Sequence, residues 1–462
     1  MNAIIILAIT GIIAMFLGVF KKKYLGLPVV LSASIITIIV ILTGWSGDYS
    51  SIMHNMLLVD RFASVFSVTM IGVSIGIFFM CHYYYNQSIE HLTDLYALFV
   101  FSLTGGLMLV SFQNLVMLFV GTEILSIPLY ILAASNRRNI ASNEAGLKYY
   151  LMGSFATCFL LLGITFVYGA TATFDMNEIS ILVNQNPAIL PGLFNTGVVL
   201  ILCALIFKIS AVPFHFWAPD VYQGSPTVLT AYVSTVVKIA VFGAMIRFLH
   251  NFNLMTSDNM WFYLIAIVSV LTMIFGNILS IYQSNFKRLL AYSGIANAGF
   301  VLVAVASLNQ ATYEYILYYF AGYSVPTIIL FTLYSTIKNQ TGIDSLEGMK
   351  GLMQNNKLIT LTMIVMLLSY IGIPPLAGFF GKYYILSNAV QAGNIWLMLI
   401  ALVTSVLAAF NYLRIISYTV QQTNNAIPTI RIGKAYRSFL LAGIALVIII
   451  GLAPDYFIDM MK

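Results

Sequence analysis

Charged residues are scarce in this sequence: Asp, Glu, Lys and Arg together make up 8% of its 462 residues, whereas hydrophobic residues make up 60%. Soluble domains carry about 25% charged residues. A water-exposed fold with so few charges would lack the polar side chains that normally cover a protein surface. The composition therefore excludes an ordinary soluble domain and predicts an all-α polytopic membrane protein whose apolar segments are surrounded by lipid.

Cysteine is rare as well: Cys81, Cys158 and Cys203 are the only three, and each falls within an apolar run. Their spacing excludes a disulfide framework and a cysteine-based metal site, so we expect three small buried apolar side chains. The sequence also lacks a G-x-G-x-x-G motif after a strand, a cysteine cluster for iron–sulfur and an axial-ligand pair for haem. No cofactor and no metal are therefore expected in this chain, and any redox chemistry would belong to partner subunits.

Long apolar runs dominate what is present, and fourteen of them reach the roughly 20 residues that a membrane-spanning helix needs. The first run has no positively charged leader and no small-residue cleavage site, so we expect it to be retained as a span. The approximate limits of the runs are 3–20, 26–44, 63–83, 94–112, 114–134, 145–170, 195–216, 226–249, 259–282, 287–307, 311–337, 357–386, 392–420 and 436–454.

The basic residues of the connecting loops fall unequally on the two sides of the membrane. Cytoplasmic loops are enriched in Lys and Arg, so the richer set of loops is expected in the cytoplasm and both termini on the outer side. The poorer set carries Arg61 and Lys462. The richer set carries Lys21, Lys22, Lys23, Arg137, Arg138, Lys287, Arg288, Lys338, Lys350, Lys357, Arg431, Lys434 and Arg437.

A few charged residues lie inside the apolar runs, where a charge at the helix centre costs roughly 2.5–3.5 kcal/mol. Arg247 and Arg414 lie near span ends, and we expect them to reach the membrane surface. The remaining buried charges are candidates for function, because burial favours the neutral form of an amine and so allows a lysine to exchange protons near neutral pH. These candidates are Glu123, Lys148, Lys208, Lys238 and Lys382.

Two of the candidate lysines adjoin prolines that interrupt a span. Lys208 precedes Pro213, and Lys382 follows the pair Pro374-Pro375. Proline removes a backbone donor and breaks a helix, and broken helices at membrane depth line buried or wet cavities. Plainer interpretations stay open: a Glu–Lys pair that only holds helices together, a lysine that reaches the surface, or, for Lys148, a residue at a loop edge.

The spans also suggest an internal repeat. Residues 94–249 and 259–420 each hold five spans, and the fourth span of each block is interrupted by proline. An odd number of spans per unit would place the two copies in opposite orientations, the inverted-repeat plan of many transporters. We therefore predict an N-terminal three-helix segment (1–93), two inverted five-helix repeats that each form a proton half-channel, and a C-terminal helix (421–462).

Four sequence stretches resemble a known family: LFVGTEILSIPLYIL, the long run FKISAVPFHFWAPDVYQGSPTVLTAYVSTVVKIAVFGAMIRF, NFKRLLAYSGIANAGF and GIPPLAGFFGKYYIL. They resemble the antiporter-like membrane subunits of respiratory complex I, the proton-pumping NADH:quinone oxidoreductase. The run VPFHFWAPDVYQGSPT is most similar to the N-type subunit, the counterpart of mitochondrial subunit 2. The resemblance covers essentially the whole chain. It implies a bacterial plasma-membrane location, other membrane subunits as partners, and flavin, iron–sulfur clusters and quinone in those partners.

The resemblance also implies roles for the buried charges, which match family positions one by one. The family relay places a glutamate at Glu123 and lysines at Lys148, Lys208, Lys238 and Lys382. Lysine at the last position disfavours the M-type subunit, which carries glutamate there. The sequence departs from the family at Asn297, where a histidine often stands. Asparagine does not titrate, so a relay there would depend on water and on hydrogen-bonding neighbours.

Three alternatives to a proton-pumping complex I subunit stay open from the sequence. The first is a subunit of a multi-subunit cation/proton antiporter or of a membrane-bound hydrogenase, which shares the same ancestral unit. The second is a standalone solute transporter, which would need polar groups suited to a solute. The third is a scaffold whose buried charges only pair. The proteins that copurify with the chain would separate these alternatives.

Overall fold

A computed structural model of the chain describes residues 2–44, 50–52, 56–85, 92–185, 191–252, 260–309, 311–423 and 427–461. Lys462 and the side chain of Lys23, both used above to predict orientation, lie outside the described residues. The chain forms two compact units. The first unit comprises Met1–Trp217 and Gly224–Asn259, and the second comprises Ala218–Gln223 and Met260–Lys462. This division is coarser than the four-part division expected from the sequence, which stays a prediction.

Helices make up nearly all of the described structure. Along the chain they are α1 Asn2–Val19, α2 Lys23–Thr43, α3 Arg61–Tyr85, α4 Leu92–Val110, α5 Leu115–Ala133, α6 Ile140–Thr171, α7 Met176–Gln185, α8 Pro191–Lys208, α9 Trp217–Gly224, α10 Thr227–Tyr232, α11 Lys238–Asn251, α12 Met260–Ile281, α13 Phe286–Ala306, α14 Thr312–Thr341, α15 Leu352–Asn355, α16 Lys357–Ile371, α17 Ala377–Gln391, α18 Ile395–Val420, α19 Lys434–Leu452 and α20 Pro454–Met461. A π-helix, Val233–Val237, joins α10 to α11, and a 3₁₀ turn, Glu347–Met349, precedes α15.

The expected class, an all-α polytopic membrane protein, is confirmed. Within the described residues, 12 helical stretches of at least 18 residues are apolar enough to cross a membrane, and two shorter apolar helices, Gly192–Lys208 and Lys357–Ile371, precede the proline breaks. Each of the fourteen runs found in the sequence coincides with one of these helices. The number of actual crossings stays a prediction.

Burial separates the central helices from the peripheral ones. The apolar window of Thr227–Asn251 is 100% buried, whereas that of α1 is 28% buried. The outward face of α1 presents large apolar side chains such as Ile9 and Phe16, which are 50% and 59% exposed. A soluble protein rarely exposes a continuous apolar surface of this kind. These outer faces therefore suit contact with lipid or with neighbouring membrane subunits.

Close helix contacts through glycine occur in both units. A Cβ on Gly105 of α4 would lie 2.3 Å from the backbone nitrogen of Leu125 on α5. In the second unit, a Cβ on Gly276 of α12 would lie 2.6 Å from the backbone nitrogen of Ala296 on α13. Small residues let helix backbones approach closely in membranes, where van der Waals packing rather than hydrophobic burial drives association.

The two units share a further local feature. Asn114 caps α5, and its backbone bridges to Asp175, which follows the third helix of the first predicted repeat. Asn285 caps α13, and its backbone bridges to Ser345, which follows the third helix of the second predicted repeat. These matching bridges agree with a repeat of similar units. The inverted orientation of the repeats stays a prediction.

Two elements and one side chain were not anticipated. Strands β1 Ser50–Ile52 and β2 Leu57–Val59 form a short antiparallel hairpin, and α7 lies between the sixth and seventh predicted spans. The expectation that all three cysteines are buried is wrong for Cys158, which is exposed on α6, whereas Cys81 is buried and Cys203 is intermediate. An apolar face that meets lipid is exposed in the isolated chain, and composition alone does not distinguish it from a core face.

Candidate functional site

Lys208 is the last residue of the half-helix α8 and is held by hydroxyl groups. Its side chain is 5% exposed, and Nζ donates to Ser126 Oγ at 2.7 Å and to Tyr130 OH at 3.1 Å. The chain leaves the helix at Ser210, whose φ is 58°, ahead of Pro213. The Trp217 indole donates to the Phe207 carbonyl at 3.1 Å, which satisfies an acceptor freed by the break.

Glu123 lies near the middle of α5, the helix whose Ser126 and Tyr130 accept hydrogen bonds from Lys208. Positions 123, 126 and 130 are spaced by three and four residues, so they share one helix face. Thr157 Oγ1 of α6 donates to Glu123 Oε1 at 2.8 Å. Glu123 and Lys208, which the sequence suggested as an ion pair, are not in direct contact: the ion pairs found among the described residues, with N–O distances up to 4.0 Å, do not include them. The ammonium group of Lys208 instead donates a hydrogen bond to Ser126.

Lys238 follows a π-helical segment that the sequence does not predict. It begins α11 directly after the π-helix Val233–Val237 and is 3% exposed. Short π-helical turns inside α-helices are rare and occur frequently at functional sites, because the extra residue re-aims neighbouring side chains. The expected mid-span position of Lys238, within Thr227–Asn251, is confirmed.

Lys382 lies on α17, after the second break, and turns back to the first half of the helix. Its Nζ donates to the carbonyl of Ile371, the last residue of α16, at 3.0 Å. The break allows this approach because Gly372 has a φ of 89° and no side chain; a Cβ there would lie 3.3 Å from Lys382 Cδ. Lys382 also lines a cavity of ≈ 10 Å³ with Asn297 and Ser369, among others. That volume suits about one water molecule.

Lys148 lies on α6 and is the most exposed of the candidate lysines. Its Nζ is 2.7 Å from Glu144 Oε1, one helical turn away, and the two side chains are 43% and 59% exposed. Exposed pairs of this kind stabilise a helix by about 0.5 kcal/mol. The loop-edge interpretation therefore gains support within this chain, and a role for Lys148 in the relay stays a prediction.

Arg247, expected to reach the membrane surface, is instead buried within the chain and paired, and its depth in the membrane stays a prediction. Its side chain is 5% exposed; Nη2 is 2.7 Å from Asp60 Oδ1, and Nε donates to the Val110 carbonyl at 2.8 Å. The guanidinium also lies 4.9 Å from the centroid of the Phe62 ring. Asp60 stands just before α3, where its Oδ1 also accepts from the Ala63 amide at 2.8 Å. Sequence reasoning missed this pair because its partners are 187 residues apart.

Arg414, the second arginine expected to reach the membrane surface, is partly buried and binds the end of a neighbouring helix, and its depth in the membrane stays a prediction. From α18 it donates to the carbonyls of Ile281, Ser280 and Gln283 at the end of α12. Basic groups near a helix C-terminus satisfy its free carbonyls and interact favourably with the helix dipole. Its role is therefore to cap α12.

Two basic residues assigned to a cytoplasmic loop belong to the first turn of α13. Lys287 is 4% exposed and donates to the Gln223 carbonyl at 3.5 Å. Arg288 pairs with Asp220, Nη1 to Oδ1, at 2.8 Å. These contacts lie within the second unit. Among the described residues, no three of His, Cys, Asp and Glu are grouped as metal ligands would be.

Comparisons with known proteins agree on one family. The family model described as NADH:quinone oxidoreductase/Mrp antiporter, TM, matches residues 112–408. NADH-quinone oxidoreductase subunit N of Cytophaga hutchinsonii is 38% identical to the chain, with 98% of each protein covered. Subunit N of Flavobacterium psychrophilum is 34% identical, with 98% of this chain and 99% of that protein covered.

Solved structures show the same fold. A chain from respiratory complex I of Thermus thermophilus superposes with a TM-score of 0.83 at 28% identity, covering 100% of this chain and 99% of that one. A chain of the Mrp complex from Dietzia sp. superposes with a TM-score of 0.87 at 19% identity, covering 99% and 95%. The second likeness concerns the fold alone.

Proposed function

The chain belongs to the family of NADH:quinone oxidoreductase and Mrp antiporter membrane subunits, and we propose that it moves protons in a respiratory NADH:quinone oxidoreductase through a glutamate–lysine relay. The observation that carries the relay is the environment of Lys208, whose ammonium is buried at a helix break among the hydroxyls of Ser126 and Tyr130. Those hydroxyls share a helix face with Glu123. Intramembrane ionisable residues of this kind mark ion paths in membrane proteins.

The relay runs from Lys208 to Lys238 and then to Lys382, which releases the proton to the outside. Glu123 sets the charge balance near Lys208 from the same helix face, about one turn from Ser126. At an effective dielectric near 20, opposite charges about 4 Å apart interact by roughly 4 kcal/mol. Glu123 and Lys208 lie more than 4 Å apart, so their attraction is weaker than this value. A charge change in a neighbouring subunit therefore needs less free energy to release the Lys208 proton. Lys148 tunes Glu123.

Electron transfer belongs to partner subunits in this proposal. The chain contributes a proton channel, while flavin, iron–sulfur clusters and quinone are held by other subunits of the complex. Support comes from the sequence, whose three cysteines are too few and too far apart for an iron–sulfur site. The chain therefore takes part in an oxidoreductase without performing redox catalysis alone.

Both termini are assigned to the outer side of a bacterial plasma membrane. The assignment rests on the unequal distribution of Lys and Arg between the two sets of loops. Arg137 and Arg138, between α5 and α6, mark the cytoplasmic side in this orientation. A single cysteine at position 138 should react with an impermeant maleimide only in inside-out vesicles.

A subunit of a cation/proton antiporter is the second candidate, since the matching family model also covers Mrp antiporters. The relatives named NADH-quinone oxidoreductase subunit N, which match over 98% of the chain, favour the first candidate. Purification of the tagged chain from its native membrane decides between them. A complex I subunit copurifies with NADH dehydrogenase activity, whereas an antiporter subunit copurifies with sodium- or potassium-driven proton exchange.

The relay is tested by substitution at Lys208 and Glu123 in the assembled complex, reconstituted in vesicles that report internal pH. We expect Glu123→Ala and Lys208→Ala to reduce proton transport by roughly tenfold or more. Lys208→Arg separates charge from proton exchange, because arginine keeps the charge but does not release its proton. Pumping should therefore fail in Lys208→Arg as well.

The control is Lys338→Ala, which removes an exposed ion pair with Asp344 and should leave pumping unchanged. Each variant is also checked for assembly, so that loss of the complex is not mistaken for loss of the channel. Proton transport near the wild-type rate in vesicles that contain the Glu123→Ala complex would refute the proposed relay.

A further inference from the structure

Tyr130, one of the two hydroxyl acceptors of the Lys208 ammonium, is held in place from α6. Tyr130 lies on α5 and is 7% exposed, and Lys208 Nζ donates to its hydroxyl at 3.1 Å. The hydroxyl stands at the far end of the ring, so a rotation about the side-chain torsions would carry it away from the ammonium. The neighbours that fix the ring therefore also fix the distance between Lys208 and its acceptor.

Gly153 of α6 leaves the space that the Tyr130 hydroxyl occupies. A Cβ at position 153 would lie 2.2 Å from the hydroxyl oxygen and 2.7 Å from Cζ of the same ring. Non-bonded heavy atoms do not approach so closely, so a larger residue would displace the ring. Glycine is less favourable than alanine in a helix interior. The close approach of Tyr130, rather than the stability of α6, therefore accounts for a glycine at this position.

Tyr149 lies one turn before Gly153 on α6 and packs against the ring of Tyr130. The centroids of the two tyrosine rings are 4.8 Å apart, and their planes are at 88°. This is the edge-to-face arrangement that aromatic pairs favour. Residues four apart share one face of a helix, so Tyr149 and Gly153 form one surface against Tyr130. This surface of two α6 residues is called here the tyrosine seat.

The tyrosine seat is also joined to the helix break that follows Lys208. Tyr149 stacks on Trp217 with ring centroids 4.8 Å apart and planes at 12°, and Trp217 stacks on Phe207 at 5.4 Å. Phe207 precedes Lys208 in α8, and its carbonyl accepts from the Trp217 indole. Tyr149 therefore contacts the acceptor of Lys208 on one side and, through Trp217, the end of α8 on the other.

We propose that the tyrosine seat positions Lys208 for proton exchange, by holding the Tyr130 hydroxyl within hydrogen-bond distance of the ammonium. The proposal rests on the proton-relay function above. Tyr149 and Gly153 are positioning residues in it, since each acts through Tyr130. A misplacement of about 1 Å can slow a reaction a hundredfold, so the rate of proton transfer depends on this seat. The helix α6 thus acts on the relay through two uncharged residues, in addition to Lys148.

The test uses the intact complex in vesicles and records NADH oxidation and proton transport together. We expect Tyr149→Leu and Gly153→Ala to lower proton transport per assembled complex by roughly tenfold. Tyr149→Phe should transport protons within about twofold of the wild-type rate, because the edge-on and stacked contacts belong to the ring. The matched control is Tyr168→Leu on the same helix, about 28 Å from Tyr149. It removes a ring stacked on Phe174 and should leave transport unchanged.

A purely structural role for the tyrosine seat predicts a different outcome when Tyr130 is changed as well. Tyr130→Phe keeps the ring, removes the acceptor hydroxyl and should by itself lower transport by roughly tenfold. If Tyr149 acts through that hydroxyl, adding Tyr149→Leu to Tyr130→Phe should cost less than about a further threefold. Independent structural defects would instead multiply to about a hundredfold.

The proposal is overturned if Tyr130→Phe or Tyr149→Leu transports protons at the wild-type rate while Lys208→Ala abolishes transport. Losses that multiply in the double variant would overturn it as well. If Lys208→Ala itself transports protons normally, the relay is wrong, so the two failures are distinguishable. Should Tyr149→Leu fail to assemble, Gly153→Ala replaces it in the same comparison, since it adds a single methyl group.

Discussion

Removing the carboxylate of Asp60 is expected to destabilise the chain by about 3 kcal/mol. Breaking a buried ion pair by removing one partner typically costs about 3–5 kcal/mol, because the other charge stays buried without compensation. The lower end applies here, since the Asp60 side chain is 20% exposed while that of Arg247 is 5% exposed. Asp60→Asn keeps the size of the side chain and removes only its charge, so it isolates the electrostatic effect.

A second substitution should partly repair the first. Arg247→Met removes the stranded charge and keeps an unbranched side chain against Phe62, at the loss of the hydrogen bond to the Val110 carbonyl. Replacement of both partners of a buried pair by groups without charge is often nearly neutral. The double variant Asp60→Asn/Arg247→Met is therefore expected to be more stable than Asp60→Asn alone.

Reversible unfolding in mixed detergent and SDS micelles, followed by circular dichroism, gives the four free energies of unfolding that a double-mutant cycle needs, for the wild type, the two single variants and the double variant. A loss of 3 kcal/mol corresponds to about a hundredfold change in the folding equilibrium constant. The matched control is Asp344→Asn, which breaks the exposed pair with Lys338 and should cost less than about 1 kcal/mol. If the double variant proves less stable than Asp60→Asn, the buried charge does not explain the cost.

Two further outcomes are expected from packing and exposure. Gly105→Ala should sharply reduce the folded yield, because the added Cβ would lie 2.3 Å from the Leu125 backbone nitrogen. The control Gly72→Ala should fold normally, because no atom lies within 4 Å of its added Cβ. Equal yields of the two variants by size-exclusion chromatography would contradict this. In the detergent-solubilised chain, a membrane-permeant maleimide should label Cys158, which is exposed, and spare Cys81, which is buried, and labelling of Cys81 under native conditions would contradict the assigned helix faces.

Much of the fold was predictable because membrane-spanning helices appear in the sequence as long apolar runs. The apolar runs and the prolines that interrupt two of them follow from local properties of the chain, so the sequence locates the breaks near Lys208 and Lys382. The faces of the helices were less predictable. Cys158 was expected to be buried but is exposed. In lipid the outward face of a helix is as apolar as its inward face, so the hydrophobic periodicity of the sequence does not distinguish the two faces.

The contacts of the site could not be predicted, because they join residues far apart in the chain. The sequence does not predict the pair of Arg247 with Asp60, because only the packing of α3 and α11 brings the two residues together. The π-helix before Lys238 has no recognised sequence signal. The partner of Asn297 was not foreseen either: Tyr319, from the neighbouring helix α14, donates to its Oδ1 at 2.9 Å.

Neutral acceptors surround the two lysines at the helix breaks, and for Lys208 they stand in place of the ion pair that was inferred from the sequence. In a direct pair at about 4 Å, a carboxylate would add roughly 4 kcal/mol to the cost of losing the ammonium proton. Lys208 is instead held by two hydroxyls, and Lys382 by the Ile371 carbonyl. Neutral acceptors orient the ammonium with a smaller preference for its charged form. The breaks therefore fix the position of each lysine through neutral acceptors.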